Sequence, residues 1–106
     1  MTIVALLSVA PVKEGGMAED VADAVAALDE HDVQYETNPM GTVIEADDIE
    51  TLLAAVGDAH TAVDAERVST FLKIDDKRTV ETTAREKVTS VEEHLGRPAR
   101  SGAGDE

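Results

Sequence analysis

Residues Thr2 to Val9 are nearly all apolar or small, the pattern of a buried strand, and Ala10-Pro11 with the loop through Gly15-Gly16 closes it. Met17, Val21, Ala24, Val25 and Leu28 then recur at helical spacing, while Glu19, Asp20, Asp23 and Asp29 fall mostly elsewhere. This predicts a helix with one stripe toward a core and the rest toward water. A short strand, Val33 to Thr37, passes through Asn38-Pro39 into a second, Met40 to Glu45, and so short a connection makes a hairpin. Asp47 with Glu50 three residues on predicts a capping box for a second helix, which runs through Ile49, Leu52, Leu53, Val56 and Val63 and ends near Asp64. Arg67 to Asp75 supplies the last strand, with Val68, Thr70, Leu72 and Ile74 on one face and Ser69, Phe71, Lys73 and Asp75 on the other. Thr83 with Glu86 caps a third helix whose stripe is Ala84, Val88, Val91 and Leu95, and Gly96 with Pro98 stops it.

The order β-α-β-β-α-β plus a C-terminal helix predicts an α+β, ferredoxin-like fold, with a four-stranded antiparallel sheet and both crossover helices on one face. In the first strand Ile3, Ala5, Leu7 and Val9 take the core side, which leaves Val4, Leu6 and Ser8 on the face no helix covers. Val4, Leu6 and Phe71 on that face, beside Ser8, Lys73 and Asp75, predict association with a second copy through the sheets. Residues 1–95 form one domain in this reading, and the small, polar, Gly- and Ser-containing stretch 96–106 is expected to be disordered.

Composition narrows the function. The chain has 106 residues, 23 Asp and Glu against 9 Lys and Arg, and a net charge of -14. Nucleic acid and anionic membranes need cationic surfaces, so both are excluded as general partners, whereas a small cationic ligand is attracted. With 42% hydrophobic residues the chain is not of the disordered type, and its carboxylates belong on the surface of a folded body. Few lysines among many Ala, Val, Thr, Asp and Glu residues suit the acidic surfaces of salt-loving microbes, whose salt screens the repulsion. The absence of cysteine removes disulfides and thiolate chemistry. Neither a secretory h-region nor a run of about 18 apolar residues is present, so the expected compartment is the cytoplasm.

Catalytic signatures are missing: the sequence has no Gly-rich phosphate loop, no G-x-S-x-G and no H-E-x-x-H. His31, His60 and His94 lie near predicted helix ends, far apart, and read as surface or capping residues. No catalytic residue and no metal-ligand set is therefore expected. Two segments stand out. Thr37-Asn38-Pro39-Met40-Gly41-Thr42-Val43-Ile44-Glu45 gathers Thr, Asn, Met and Glu around one turn, although Asn-Pro and Gly also serve a plain bend. Lys73-Ile74-Asp75-Asp76-Lys77-Arg78 reads by spacing as a strand end running into a charged turn.

These segments, with Ser8-Val9-Ala10-Pro11 before them and Glu86-Lys87-Val88 after, resemble in order the pattern of the small YkoF-like/MTH1187-like family of thiamine-binding proteins. The likeness spans roughly residues 1 to 95, and the P-M-G-T-x-I-E string is its most specific part. The resemblance implies a ferredoxin-like domain, assembled as a homodimer or homotetramer through its sheets. It implies binding of thiamine or its hydroxymethylpyrimidine moiety as ligand, with no other cofactor and no catalysis. Thiamine joins an aminopyrimidine to a cationic thiazolium, so a site needs carboxylates, neutral polar groups and an apolar slot. Glu45 or Asp75 suits the cation or the exocyclic amine, and Ser8, Thr37, Asn38 and Thr42 offer neutral hydrogen bonds. Met40 and Phe71 are apolar walls, and Lys73, beside Lys77 and Arg78, leaves room for a phosphate ester. Strand parity sends Glu45 and Thr42 to opposite faces, so one intrachain pocket holds both only through a bulge or a neighbouring subunit. Two competing readings are a small ferredoxin-like enzyme and an oligomeric metabolite-sensing module. Gene neighbours separate them: thiamine synthesis or transport genes favour the binder, a degradative operon the enzyme.

Overall fold

The strand Ile3–Pro11 (β1) alternates buried and half-buried residues along its whole length. Its inward residues Ile3, Ala5, Leu7 and Val9 form the spine of the core. The computed structural model describes residues 2–79 and 81–102. After β1 come α1 (Ala18–Leu28), β2 (Gln34–Asn38), β3 (Gly41–Ala46), α2 (Ile49–Ala62), β4 (Val68–Asp76) and α3 (Ala84–Leu95). The strands make one antiparallel sheet in the order β2-β3-β1-β4, the ferredoxin-like α+β arrangement that the element order predicts. Ile44 and Ala46 of β3 join the β1 spine, and Ala24 and Leu28 of α1 with Leu52, Ala55, Val56 and Ala59 of α2 close over it from one side.

Helix ends follow local chemistry, with one departure from the sequence reading. The N-cap of α2 is Asp48, not Asp47: in its extended conformation the Asp48 carboxylate accepts the backbone N–H of Thr51 (2.8 Å) and the Thr51 hydroxyl (3.1 Å). Of the two adjacent aspartates only Asp47 has a Glu three residues on, but Asp48 caps the helix because Thr51, three residues after it, supplies two donors. The Thr51 N–H holds the Asp48 carboxyl below the usual range. At its far end α2 stops at Ala62, and Val63 turns into extended backbone with its side chain in the core. The capping box of α3 forms between Thr83 and Glu86 as the sequence predicts, and Gly96 ends that helix at a left-handed φ of 74°.

The β1–β4 register sets Asp75, Lys73 and Phe71 beside Val4, Leu6 and Ser8, so these six residues share the face opposite α1 and α2. The sequence reading leaves that face without a helix, and the structure corrects it. The first turn of α3 reaches it, with Ala84 N–H donating to Glu45 Oε1 (2.5 Å) and Lys87 Nζ to Asp75 Oδ2 (2.5 Å). Beyond this anchor the α3 stripe has no cover: Val88, Val91 and Leu95 stay exposed, and no residue of α3 is buried. The expected disorder of 96–106 lies partly outside the described residues, at 103–106. Within them, Ala99 N–H donates to Glu92 Oε2 (3.0 Å), which folds the chain after Gly96 back onto α3.

Candidate functional site

β1 pairs with β4 from Ile3 through Pro11 but with β3 only from Ile3 through Leu7. From Ser8 onward, the β1 edge facing the hairpin therefore has no strand beside it. α1 closes the third side of this opening, leaving a cleft of ≈ 160 Å³ lined by Ser8–Ala10 of β1, by Met17, Val21 and Val25 at α1, and by Thr37–Thr42 of the hairpin. The corner residue Gly41 makes this geometry possible. A Cβ there would lie 2.9 Å from the Leu7 carbonyl oxygen and 3.0 Å from Leu6 Cδ1, so only glycine lets the hairpin approach β1 so closely.

The polar groups of the cleft are few and neutral. Thr42 is the one buried polar residue among the described residues, and its hydroxyl bonds that of Thr37 across the β2–β3 ladder (2.9 Å). One hydroxyl proton is used between the two, which leaves a second O–H and free lone pairs for a ligand. Asn38 Oδ1 accepts the Met40 N–H (2.9 Å) and pins the turn, while its amide NH₂ remains a donor. The plain bend and the candidate patch thus use the same residues. Met40 at the tip is 81% exposed, and Met17, at the mouth from the α1 side, is 49% exposed. Met17 was not singled out by sequence pattern, because it reads there as the first position of an amphipathic stripe.

The remaining candidates lie on the opposite face, as strand parity requires. Glu45 is half-buried under α3 and holds the Ala84 N–H. Asp75 pairs with Lys87, whose hydrogen bond and charge, aided by Lys73 and Lys77, hold its carboxyl below the usual range. Phe71 is 58% exposed and Lys73 is also exposed. Between this face and α3 lies a wider groove of ≈ 630 Å³, lined by Val4, Val43, Glu36, Glu45, Arg85 and Lys87 among others. Of the nine candidates, then, Ser8, Thr37, Asn38, Met40 and Thr42 meet at the cleft, while Glu45, Phe71, Lys73 and Asp75 do not reach it. Asn38 lines both the cleft and the groove, and Ser8 lines the cleft while pairing with Phe71 in the ladder.

The histidines stay apart: His31 bonds Asp58 of α2 (2.6 Å), His60 bonds Thr70 of β4 (2.5 Å), and His94 meets the Ser90 carbonyl (3.0 Å). Among the described residues no group of three or more His, Asp or Glu is arranged to hold a metal ion, and no helix is long and apolar enough to cross a membrane.

Fold and cleft together define a ferredoxin-like α+β domain whose hairpin opens an uncharged, ring-sized cleft against the first strand and helix. The sequence profile of the family described as thiamine-binding protein matches residues 5–92, and the chain belongs to that family. A UPF0045 protein of Methanothermobacter thermautotrophicus is 47% identical over 78 residues, covering 71% of this chain and 79% of the relative. The crystal structure of a hypothetical protein from Methanocaldococcus jannaschii superposes with a TM-score of 0.80 at 35% identity, over 87% of this chain and 97% of that one. A candidate thiamine biosynthesis/salvage protein of Thermotoga maritima shares the fold, with a TM-score of 0.75 at 24% identity over 86% of this chain and 99% of that one. The family gives the chain a thiamine-related role.

Proposed function

We propose that this protein binds the aminopyrimidine half of thiamine, or a one-ring precursor carrying it, in the cleft beside the hairpin, without chemical turnover. The composition of the cleft carries the reading: aliphatic and thioether walls, neutral donors and acceptors at Thr37, Asn38 and Thr42, and no charged side chain in the lining. An aminopyrimidine is flat, neutral and rich in hydrogen-bonding edges, and it suits such a site, whereas a buried thiazolium would have no counter-charge. Size argues the same way. Sites for drug-sized ligands run from about 300 Å³ upward, so ≈ 160 Å³ takes one ring and leaves a second outside. A thiazolium left outside sits in the field of a chain of net charge -14. No acid–base pair lines the cleft, which favours binding over catalysis.

A second reading rests on the wider groove on the other face, where Glu36 and Glu45 put carboxylates within reach of an intact thiamine cation. Calorimetry in molar KCl with hydroxymethylpyrimidine, thiamine and thiamine phosphate decides between them. The cleft predicts that hydroxymethylpyrimidine binds and that Thr42→Val weakens it by about 0.5–1.5 kcal/mol, the usual worth of a neutral hydrogen bond. Glu19→Gln, on the outer side of α1, leaves it within about 0.5 kcal/mol. If Glu36→Gln or Glu45→Gln weakens binding and Thr42→Val does not, the groove is the site. If none of the three ligands binds the parent, the thiamine reading falls.

A further inference from the structure

Sulfur is scarce in this chain, which has three methionines and no cysteine. Two of the three, Met17 and Met40, line the same cleft from separate segments, one preceding α1 and the other at the hairpin tip. Single exposed apolar side chains need no explanation, but two thioethers converging on one cleft do. Their backbones are fixed: the Met17 carbonyl accepts the Val21 N–H (2.9 Å), and the Met40 N–H is held by Asn38. Met40 stays largely in solvent and Met17 about half so, and a thioether with three rotatable bonds adapts to what enters. The aromatic residues that usually stack on a flat ring are elsewhere. The chain has one Phe and one Tyr and no Trp; Phe71 lies on the opposite face, and the Tyr35 hydroxyl donates to Asp29 (2.7 Å).

We propose that the thioethers of Met17 and Met40 clamp the flat heteroaromatic ring of the ligand, and that oxidation of these two sulfurs by a hydroperoxide opens the clamp and releases it. This rests on the cleft as the binding site. Polarizable sulfur against an aromatic ring supplies the attraction that a stacked aromatic side chain gives elsewhere. In the oxidation a sulfur lone pair attacks the terminal peroxide oxygen, the O–O bond breaks, the sulfoxide forms, and the hydroperoxide leaves as water or an alcohol. A sulfoxide is strongly polar, and beside Val21 and Val25 it replaces an apolar wall with a group that prefers water.

The test titrates hydroxymethylpyrimidine into four samples: the parent, the parent treated with hydrogen peroxide and then freed of it, the double variant Met17→Leu with Met40→Leu, and that variant treated in the same way. Leucine keeps the bulk and removes the sulfur, and both sites are exposed enough to accept it without unfolding. The double variant should bind about three- to tenfold more weakly than the parent. The treated parent should lose at least about tenfold, with peptide mapping showing one added oxygen at each of Met17 and Met40, while peroxide leaves the double variant's remaining affinity unchanged. Saturating ligand should protect both methionines in the parent. Parent binding that survives oxidation of both residues, or a double variant that binds like the parent, overturns the clamp and leaves the cleft standing. No binding by the untreated parent overturns the cleft itself.

Discussion

At Gly41 a single absent methyl group decides whether the hairpin and β1 can meet. Contacts of 2.9 Å to the Leu7 carbonyl oxygen and 3.0 Å to Leu6 Cδ1 have no flexible end to yield on the carbonyl side. Gly41→Ala is therefore expected to cost about 1–3 kcal/mol through overpacking, read as a lowered melting temperature, and to weaken ligand binding as the corner moves off the cleft. At this scale the sequence was informative about local turn chemistry. Asn38 and Gly41 are legible as turn residues and act as such, while the ligand role that the resemblance implies for this segment is what the titrations above test. The opposition of Glu45 and Thr42 was visible from parity alone. What Glu45 does instead was not, because its partner, the Ala84 N–H, is 39 residues away and depends on where α3 comes to rest.

Among the elements, α3 shows most clearly how a local signal and a tertiary one differ. Its start, its cap and its stop are written in Thr83, Glu86 and Gly96, and all three act as their chemistry requires. Its amphipathic stripe suggests burial, yet only the first turn is fastened, so the stripe marks a surface in need of a partner rather than a packed helix. Removing the cap oxygen by Thr83→Ala is expected to cost about 1 kcal/mol locally, seen as faster amide exchange over residues 84–88 with the sheet unaffected. The anchor should also respond to acid. The Asp75 carboxyl is lowered first by its hydrogen bond to Lys87, so its contribution is complete above the ordinary carboxylate value and is lost as pH falls through the lowered one. Protection of the first turn of α3 should hold from pH 7 to about 5 and fall below about 4. Glu86, held low by the Thr83 N–H, titrates in the same direction. Asp75→Asn separates the two, since its first turn is looser at neutral pH and has less left to lose in acid.

Taken whole, the molecule is a slab of 46 × 37 × 19 Å, with two helices on one side of the sheet and only a helix end on the other. Its radius of gyration of 15.3 Å exceeds the roughly 13 Å of a compact domain of this length. Among the described Asp and Glu residues none is buried as a whole, although Asp76 Oδ1 is shut away from solvent, so most of the charge of -14 acts in solvent and opposes both folding and association. The open face is the exception. There Lys87 pairs with Asp75 and Arg85 with Glu92, Lys73 shares the face with Glu36 and Glu45, and Phe71 and Val88 stay exposed. A second copy approaching face to face here would meet charges already set against one another and would cover Phe71. Light scattering at micromolar concentration in molar KCl should therefore show a dimer or larger assembly, and Phe71→Asp, which adds charge to an exposed position outside the core, should yield a folded monomer. Lowering the salt from about 2 M to 0.1 M lengthens the screening distance from about 2 Å to about 10 Å, so repulsion between like-charged bodies returns. Melting temperature and assembly size should fall together over that range in the parent. In Phe71→Asp only the intramolecular part of the salt dependence remains. A parent that is monomeric in molar salt removes the face-to-face reading, and a melting temperature flat across the range removes the salt-adapted one.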